Sequence, residues 1–448
     1  MIKCLLYLKF LIIYLIFLNN IKFNIYNLEL NKHYLKYQKS LNLTFPNKIS
    51  KQIKIAIFTF CMKNGGRARV TSLLINALYK LNIFKIYLFT QKCEENNEYK
   101  IPKNIKRLII NNNNLTKIFK NRINILIFQL ISLNKPKILN KNKNIKIIYN
   151  IHNSIFHFIY LNYTLFKSLY QQLNNSDYLV SLVPFENEYL FPKWGINSIL
   201  MNNFITYNYN LTFPSNLSSK TILMIGRAND KKKRFEIGIQ CMEYITQVIK
   251  NCQLKIISRL FSIKYLVNLI YNLNLENDII FEGFIENPEK LFKDACLHLF
   301  PTISESFGLV LSETKIYGIP NILLGLDYIS IAYNGTIIIY DDTPESLAKE
   351  VIKIILKNKY REKLGKESRK NMIKYNNDVL IINWVKLILS VYNGHFYYKE
   401  FQKQNQNKMS EKKGSLILNK QIKLLKMRDK SFKNISKKNF EDFLFKRN

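Results

Sequence analysis

The feature that most constrains this chain is an alternation of strand-like and helix-like segments that begins at residue 53. Residues 53–60 form an apolar strand-like run, residues 70–78 carry apolar side chains at helical spacing, and residues 83–89 return to the strand pattern. A strand–helix–strand unit of this kind places its strands in parallel. A second series starts at residue 221 and extends to about residue 392. The sequence therefore predicts an α/β protein with two doubly wound parallel sheets.

The two series define the predicted domains, which join in a polar, turn-rich stretch. We predict an N-terminal Rossmann-like domain at residues 51–205 and a C-terminal one at residues 206–392. Residues 1–50 combine a basic start, a short apolar run and a polar linker, which fits an uncleaved anchor, a membrane-surface helix or a chance apolar segment. Residues 393–448 lose the alternation and are rich in Lys, so we expect a basic tail that is disordered or lies as a helix on an anionic surface.

The charge of the chain raises the question of an anionic partner. Its formal net charge is +37, from 68 Lys and Arg against 31 Asp and Glu, which would suit nucleic acid or a membrane. However, most of the basic residues are Lys, and they accompany a large excess of Asn, Ile and Tyr. A/T-rich codons produce that composition without any binding role. We therefore disfavour nucleic acid as a partner and keep an anionic membrane surface open.

Cysteine and histidine give no sign of a metal site. The six Cys show no CxxC pair or zinc-ligand spacing, which favours free thiols. His298 alternates with apolar neighbours and is predicted to lie in a core strand. His152 differs because it stands at the end of its strand, and open α/β sheets bind ligands outside the carboxyl ends of their strands.

Two more loops at strand ends contain residues suited to phosphate. Gly65 and Gly66 follow the first strand, where paired glycines permit close approach of a ligand and the next helix offers free N–H groups. An ordinary tight turn would explain them equally well. Arg227, Lys232 and Lys233 share the loop after residue 225 and could grip a diphosphate from two sides. A Lys-rich surface loop is the alternative.

A further loop, after the predicted strand at residues 297–300, contains two carboxylates around a predicted helix start. The start consists of Phe307, Gly308 and Leu309, whose main-chain N–H groups could hold an anion. Glu305 precedes it and Glu313 follows within the helix, so both could accept hydrogen bonds from sugar hydroxyls. Simple charge complementarity with the helix would also place acidic residues here.

Together these motifs resemble the retaining glycosyltransferases of family 4. The block ESFGLVLSE, preceded by FPTIS and followed by Gly318-Ile-Pro320, is similar to the signature of that family. The supporting motifs resemble its donor-phosphate loop, its N-terminal glycine loop and the start of its interdomain segment: Gly226-Arg227 with Lys233-Arg234-Phe235-Glu236, Asn64-Gly-Gly66-x-x-Arg69-Val70, and Asn203-Phe-Ile205. The resemblance covers residues 53–392.

The resemblance implies a GT-B fold, in which two Rossmann-like domains hold a nucleotide-sugar in the cleft between them. It implies that Arg227 and Lys233 bind the donor diphosphate, although the loop is one residue longer than usual and Lys232 could replace Lys233. Glu313 would bind the ribose. The remaining implied contacts are phosphate contacts of Gly65 and Gly66, donor-sugar contacts of Glu305, Phe307, Gly308, Leu309 and His152, and catalytic roles for Glu305 and His152.

The resulting prediction is a retaining glycosyltransferase that moves a sugar from a nucleotide-sugar to a glycan, a lipid-linked glycan or another hydroxyl acceptor. The chain has no Asp-x-Asp motif, so we expect neither a metal ion nor another cofactor. The alternatives are a GT-B nucleotide-sugar epimerase and a non-catalytic basic protein that binds nucleic acid or membrane. We expect a cytoplasmic, membrane-associated protein, or else an anchored one with its catalytic domains in a lumen.

Overall fold

The computed structural model describes residues 52–63, 65–91, 98–110, 122–129, 145–156, 173, 178–196, 198–207, 209, 212–259, 263–285, 288–375, 377–393 and 409–428. The predicted N-terminal segment at residues 1–50 lies outside the described residues. So do Asn64 of the glycine loop and most of the predicted basic tail.

The first sheet contains seven strands, all of which pair in parallel in the order β3-β2-β1-β4-β5-β6-β7. Their bounds are β1 Ile53–Thr59, β2 Phe84–Thr90, β3 Lys106–Ile109, β4 Ile125–Phe128, β5 Lys146–Ile151, β6 Tyr178–Ser181 and β7 Ser198–Leu200. Helix α1, Gly65–Lys80, connects β1 to β2. Because the strand order reverses between β1 and β4, the loops after these strands diverge and leave room for a ligand.

The second sheet contains six parallel strands in the order β10-β9-β8-β11-β12-β13. The strands are β8 Thr221–Ile225, β9 Gln253–Ile257, β10 Ile279–Gly283, β11 Leu297–Phe300, β12 Asn321–Leu324 and β13 Thr336–Ile339. The helices are α2 Phe235–Val248, α3 Lys264–Asn272, α4 Glu289–Lys293, α5 Leu309–Ile316, α6 Pro344–Leu356, α7 Asn358–Asn371 and α8 Asn377–Asn393. The predicted pair of doubly wound parallel sheets is confirmed.

We call the first sheet with α1 the first lobe, and the second sheet with α2 to α7 the second lobe. One hydrophobic cluster contains buried residues of both lobes, so the lobes share part of their core. Phe156 of the first lobe packs on Tyr328 of the second with ring centroids 4.8 Å apart. A second cluster lies within the second lobe, between its sheet and helices α2, α3 and α6. The lobes are therefore held together by apolar burial as well as by polar contacts.

Helix α8 is tied to the segment that joins the two sheets. The side chain of Asn377 accepts a hydrogen bond from the main-chain N–H of Ile205 at 2.9 Å and donates one to its carbonyl at 2.9 Å. Asn203, which the sequence places at the start of this segment, is buried. The connection between the lobes is thus fixed by paired hydrogen bonds on a buried strand-like segment.

Residues 411–428 of the predicted basic tail form helix α9, Glu411–Arg428, one of the two predicted alternatives, but its apolar residues pack on the protein itself. Ile417, Leu418 and Ile422 of α9 belong to the hydrophobic cluster that the lobes share. The Lys residues that dominate the composition lie on the other side of this helix, and Lys412, Lys413 and Lys423 are exposed. The net charge of this segment therefore did not reveal that it forms an amphipathic helix, whose apolar side packs on the rest of the protein.

Helix α9 contacts both lobes. Glu411 accepts hydrogen bonds from Tyr189 Oη at 2.9 Å and Lys193 Nζ at 2.6 Å in the first lobe. In the second lobe, the side chain of Gln421 donates to the carbonyl of Gly325, which follows β12, and Lys420 lies 3.5 Å from Asp327. Within the described part of the chain, we find no helix that is both long and apolar enough to cross a bilayer.

Gly414 allows α9 to approach the first lobe, and this contact can be tested. A Cβ at Gly414 would lie 2.1 Å from Cδ2 of Tyr189, which is far inside contact distance. We expect Gly414→Val to displace α9 and to lower the free energy of unfolding by about 1–3 kcal/mol, the usual cost of overpacking. Urea denaturation of the variant and the wild type would measure this change in the free energy of unfolding. Lys412→Val places the same side chain on the exposed face of α9 and should have little effect, and equal losses in both variants would contradict the contact.

His298 allows a test of pH dependence. It lies in β11 as predicted, fully buried, with Nδ1 at 2.7 Å from Asn321 Oδ1. Burial lowers the pKa of His298 to about 4, below the unfolded value near 6.5. The unfolded chain therefore binds more protons below pH 6.5, and stability falls as pH decreases toward 4. Between pH 6.5 and pH 5 we expect a loss of about 1–2 kcal/mol from this group, which His298→Gln should remove. An unchanged pH slope in denaturation of the variant would refute the assignment.

Candidate functional site

The amino end of α5 forms one side of the candidate site. A loop leads from β11 to Gly308, which caps the helix with a positive φ of 84° that glycine adopts readily. The ring of Phe307 is fully buried and packs edge-on against Tyr375, with centroids 5.8 Å apart. The side chain of Phe307 is therefore part of the core and is not available to a ligand. The first turn of α5 begins at Leu309 and offers unpaired N–H groups and the positive end of the helix dipole.

Glu305 lies in this loop and is paired with a lysine from the loop after β8. Lys233 Nζ donates to Glu305 Oε2 at 3.2 Å, and the main-chain N–H of Ser306 donates to Oε1 at 3.2 Å. The N–H of Glu305 itself donates to Tyr328 Oη at 3.1 Å, which fixes the loop. The structure therefore joins two predicted site residues that are separated by 72 positions in the chain.

The loop after β8 gathers three cations. Asp230 organises the loop, because its side chain accepts from the main-chain N–H of Lys232 at 3.2 Å and from Arg227 at 2.8 Å. Arg227 nevertheless keeps 68% of its side chain exposed. Burial lowers the pKa of Lys232, and the charges of Arg227 and Lys233 lower it further. Both lysines named by the sequence thus lie in a cluster of like charge, which an anion would stabilise.

Glu313 is buried within α5 and is paired across the lobes. Its carboxylate forms an ion pair with Arg69 of α1 and accepts from Thr206 Oγ1 at 3.1 Å. Burial raises the pKa of Glu313, while Arg69 and the hydrogen bond from Thr206 act in the opposite direction. The sequence named Arg69 only as part of a motif and assigned it no role. Its partner is 244 positions away, so only the folded chain identifies the pair.

The glycine pair lies at the start of α1, opposite α5. Gly65 has a positive φ of 83° and begins the helix. A Cβ at Gly66 would lie 3.1 Å from Cδ1 of Leu309, which is tighter than ordinary contact. The amino ends of α1 and α5 therefore meet, one from each lobe. Two positive dipole ends so close together favour an anion between them.

His152 follows β5 and faces the second lobe. Its carbonyl accepts from Ser306 Oγ at 2.5 Å, and its Nε2 pairs with Oε1 of Gln129, the residue after β4. Burial lowers the pKa of His152 to about 3, and the charge of Arg67 adds to this shift. The imidazole is therefore neutral at physiological pH and is able to form hydrogen bonds but not to serve as a cationic acid. Gln129 was missed because nothing in its local sequence distinguishes it.

Contacts thus bring the predicted site residues together between the lobes. Gly66 lies against Leu309, and the carbonyl of His152 accepts from Ser306, so both contacts join the two lobes. Glu305 pairs with Lys233 within the second lobe. Basic groups and helix amino ends can hold phosphate, and Glu305 and Glu313 can accept from hydroxyls. Their individual roles stay predictions. Among the described residues there is no group of three or more His, Cys, Asp or Glu placed to share a metal ion.

Comparison with known sequences gives a family for part of the chain. Residues 212–371 match the family model described as Glycosyl transferases group 1. A stretch of 180 residues is 29% identical to an uncharacterized glycosyltransferase of Methanocaldococcus jannaschii, covering 39% of this chain. The chain spans 44% of the length of that curated relative.

Comparison with solved structures supports the fold over a longer range. Sucrose-phosphate synthase from Thermosynechococcus elongatus matches with a TM-score of 0.62 at 17% identity, over 76% of this chain and 100% of that one. HepE from Anabaena, solved in complex with UDP-glucose, matches with a TM-score of 0.63 at 14% identity, over 75% of this chain and 100% of that one. At these identities the likeness concerns the fold. It confirms the predicted GT-B architecture.

The ion pair between Arg69 and Glu313 can be tested by a double-mutant cycle. Arg69→Met leaves a buried carboxylate without its partner, and we expect it to cost about 3 kcal/mol of unfolding free energy, the lower end of the range for a buried pair, because Arg69 keeps 23% exposure. Glu313→Gln should also destabilise. The double variant should lose clearly less than the sum of the two, since neither charge is then left alone. Additive losses in urea denaturation would show that the residues are not coupled.

Proposed function

We propose that this protein is a glycosyltransferase that takes its sugar from a nucleoside diphosphate donor, because residues 212–371 match the family model described as Glycosyl transferases group 1. The observation that carries the proposal is the meeting of two helix amino ends beside Arg227, Lys232 and Lys233. A diphosphate matches this arrangement, because it can accept hydrogen bonds from both helices and from the cationic loop.

The contacts of the carboxylates suggest how the donor lies. Glu313 would accept from the ribose hydroxyls, where Arg69 and Thr206 already hold its carboxylate in place. Glu305 would accept from the donor sugar, with Lys233 between it and the phosphates. The neutral imidazole of His152 would contact the same sugar from the first lobe. The complex of HepE with UDP-glucose supports a donor of this class on the same fold.

The reaction we propose retains the anomeric configuration. The bond between the anomeric carbon and the β-phosphate oxygen breaks, and its electron pair stays on the leaving phosphate. The acceptor oxygen attacks from the same face, and its proton passes to a phosphate oxygen. Arg227, Lys232 and Lys233, together with the amino end of α5, would stabilise the negative charge that develops there, so that the cationic groups supply what a divalent ion supplies elsewhere.

The acceptor in this proposal is a glycan, a lipid-linked glycan or another hydroxyl compound, and the enzyme works without a metal ion in the cytoplasm. Association with an anionic membrane through the basic terminal segments stays part of the proposal.

The first test is nucleotide binding and sugar transfer. UDP or GDP should raise the melting temperature of the protein to the same extent with and without EDTA. Arg227→Ala and Glu313→Ala should weaken nucleotide binding about tenfold or more, as expected when a charged hydrogen-bonding group is removed, whereas Glu305→Ala should mainly lower turnover of a nucleotide-sugar.

The binding and transfer test has a matched control variant, and three results would contradict the proposed function. Lys412→Ala removes a charge from the exposed face of α9 and should leave nucleotide binding unchanged. Normal transfer by the three site variants would show that the site is misplaced. Salt-sensitive polyanion binding without any nucleotide effect would favour a non-catalytic binding protein instead. An epimerised sugar product without transfer would favour an epimerase.

A further inference from the structure

Arg67 occupies the first turn of α1, directly after the glycine pair. Three other basic side chains of the site pair with acids: Arg69 with Glu313, Arg227 with Asp230 and Lys233 with Glu305. The guanidinium of Arg67 has no ion pair or hydrogen bond with any residue in the described part of the chain, where only its carbonyl is used, as the acceptor of Thr71 Oγ1. Its side chain is accessible from solvent, so a ligand can reach it.

The surroundings of Arg67 are positive. The protein around it removes part of its hydration and lowers its pKa; Cys61 acts in the opposite direction, and the charge of Arg227 in the second lobe lowers the pKa further. The first turn of α1 contains no acidic residue, so the helix dipole adds a further positive field. Arg67 and Arg227 repel each other because they carry like charges. A ligand with two or more negative charges between them would remove that repulsion.

The position of Arg67 indicates which part of a donor it would meet. Arg67 directly follows Gly66, which lies against Leu309 at the amino end of α5, next to Gly308 and Glu305. In agreement with this position, its charge also acts on the imidazole of His152, whose carbonyl accepts from Ser306. Arg69, two residues further along α1, instead contacts Glu313. In the proposed binding mode Glu305 marks the sugar end and Glu313 the ribose end. Arg67 therefore lies toward the phosphate that carries the sugar.

We propose, on the basis of the glycosyltransferase function proposed above, that Arg67 contacts the β-phosphate of the nucleoside diphosphate from the first lobe, opposite Arg227. This phosphate is the leaving group, and it gains negative charge as the bond to the anomeric carbon breaks. A guanidinium so placed forms charge-assisted hydrogen bonds to its oxygens and draws the two lobes together around it. Arg67 would thereby distinguish nucleoside diphosphates from monophosphates, which lack this group.

The experiment compares Arg67→Gln with Lys80→Gln, which removes the same charge from the exposed carboxyl end of the same helix. Calorimetric titration with UDP and GDP, and then with UMP and GMP, measures the affinity of each variant. We expect Arg67→Gln to weaken diphosphate binding about 10-fold to 100-fold, the effect of one charged hydrogen-bonding group, and to change monophosphate binding less than threefold. Lys80→Gln should bind all four nucleotides like the wild type. Arg67→Lys, which keeps the charge, should recover part of the loss.

The outcomes separate the two proposals. If Arg67→Gln weakens the binding of diphosphates and monophosphates equally, Arg67 acts only through its general electrostatic field. If binding of both is unchanged, Arg67 does not belong to the site. Either result overturns the proposed role of Arg67 and leaves the proposed function intact. If the wild type binds none of the diphosphates, the proposed function fails and the inference fails with it. Melting curves of each variant show whether a loss of affinity comes from unfolding.

Discussion

The close approach of helix α1 to helix α5 is the contact on which the geometry of the candidate site depends. The approach is close at Gly66, where a Cβ would lie 3.1 Å from Cδ1 of Leu309 and would force that side chain to shift. One turn further along, Arg69 of α1 reaches Glu313 of α5 and joins the lobes by an ion pair. Two positive helix ends repel each other, so this approach is stable only because the ion pair and the shared hydrophobic cluster oppose the repulsion.

Acidic residues are distributed among the cations of the candidate site. Glu305, Asp230 and Glu313 each form an ion pair with one cation. In the proposed complex, the phosphates of the donor would bind the cations, and its hydroxyl groups would donate hydrogen bonds to the carboxylates. The same pairing holds the carboxylates of Glu305 and Glu313 in fixed orientations, which the proposed transfer chemistry would need.

Much of the site could be predicted because its residues stand at strand ends, where local pattern is informative. The loop at residues 301–313 contains Glu305, Gly308 and Glu313 in one short stretch, and the strand before it is evident from its apolar run. Arg69 and Gln129 could not be found in this way. Each acquires its function from a partner on another element, and such pairs leave no trace in local periodicity. The short strands β3, β4, β6 and β7 were not predicted, because a segment of three or four residues is too short to show a periodicity that separates a strand from a helix.

The sequence by itself determined the alternation of strands and helices and the parallel pairing that follows from it, because periodicity and connection length are local properties of the chain. Tertiary structure alone decided where α9 lies and which cation pairs with which acid. A Lys-rich composition predicted a tail for residues 393–448, yet Ile417 and Leu418 are buried beside residues more than two hundred positions away. Burial and charge pairing act between segments that meet only in the folded chain, and that is the physical reason for the division.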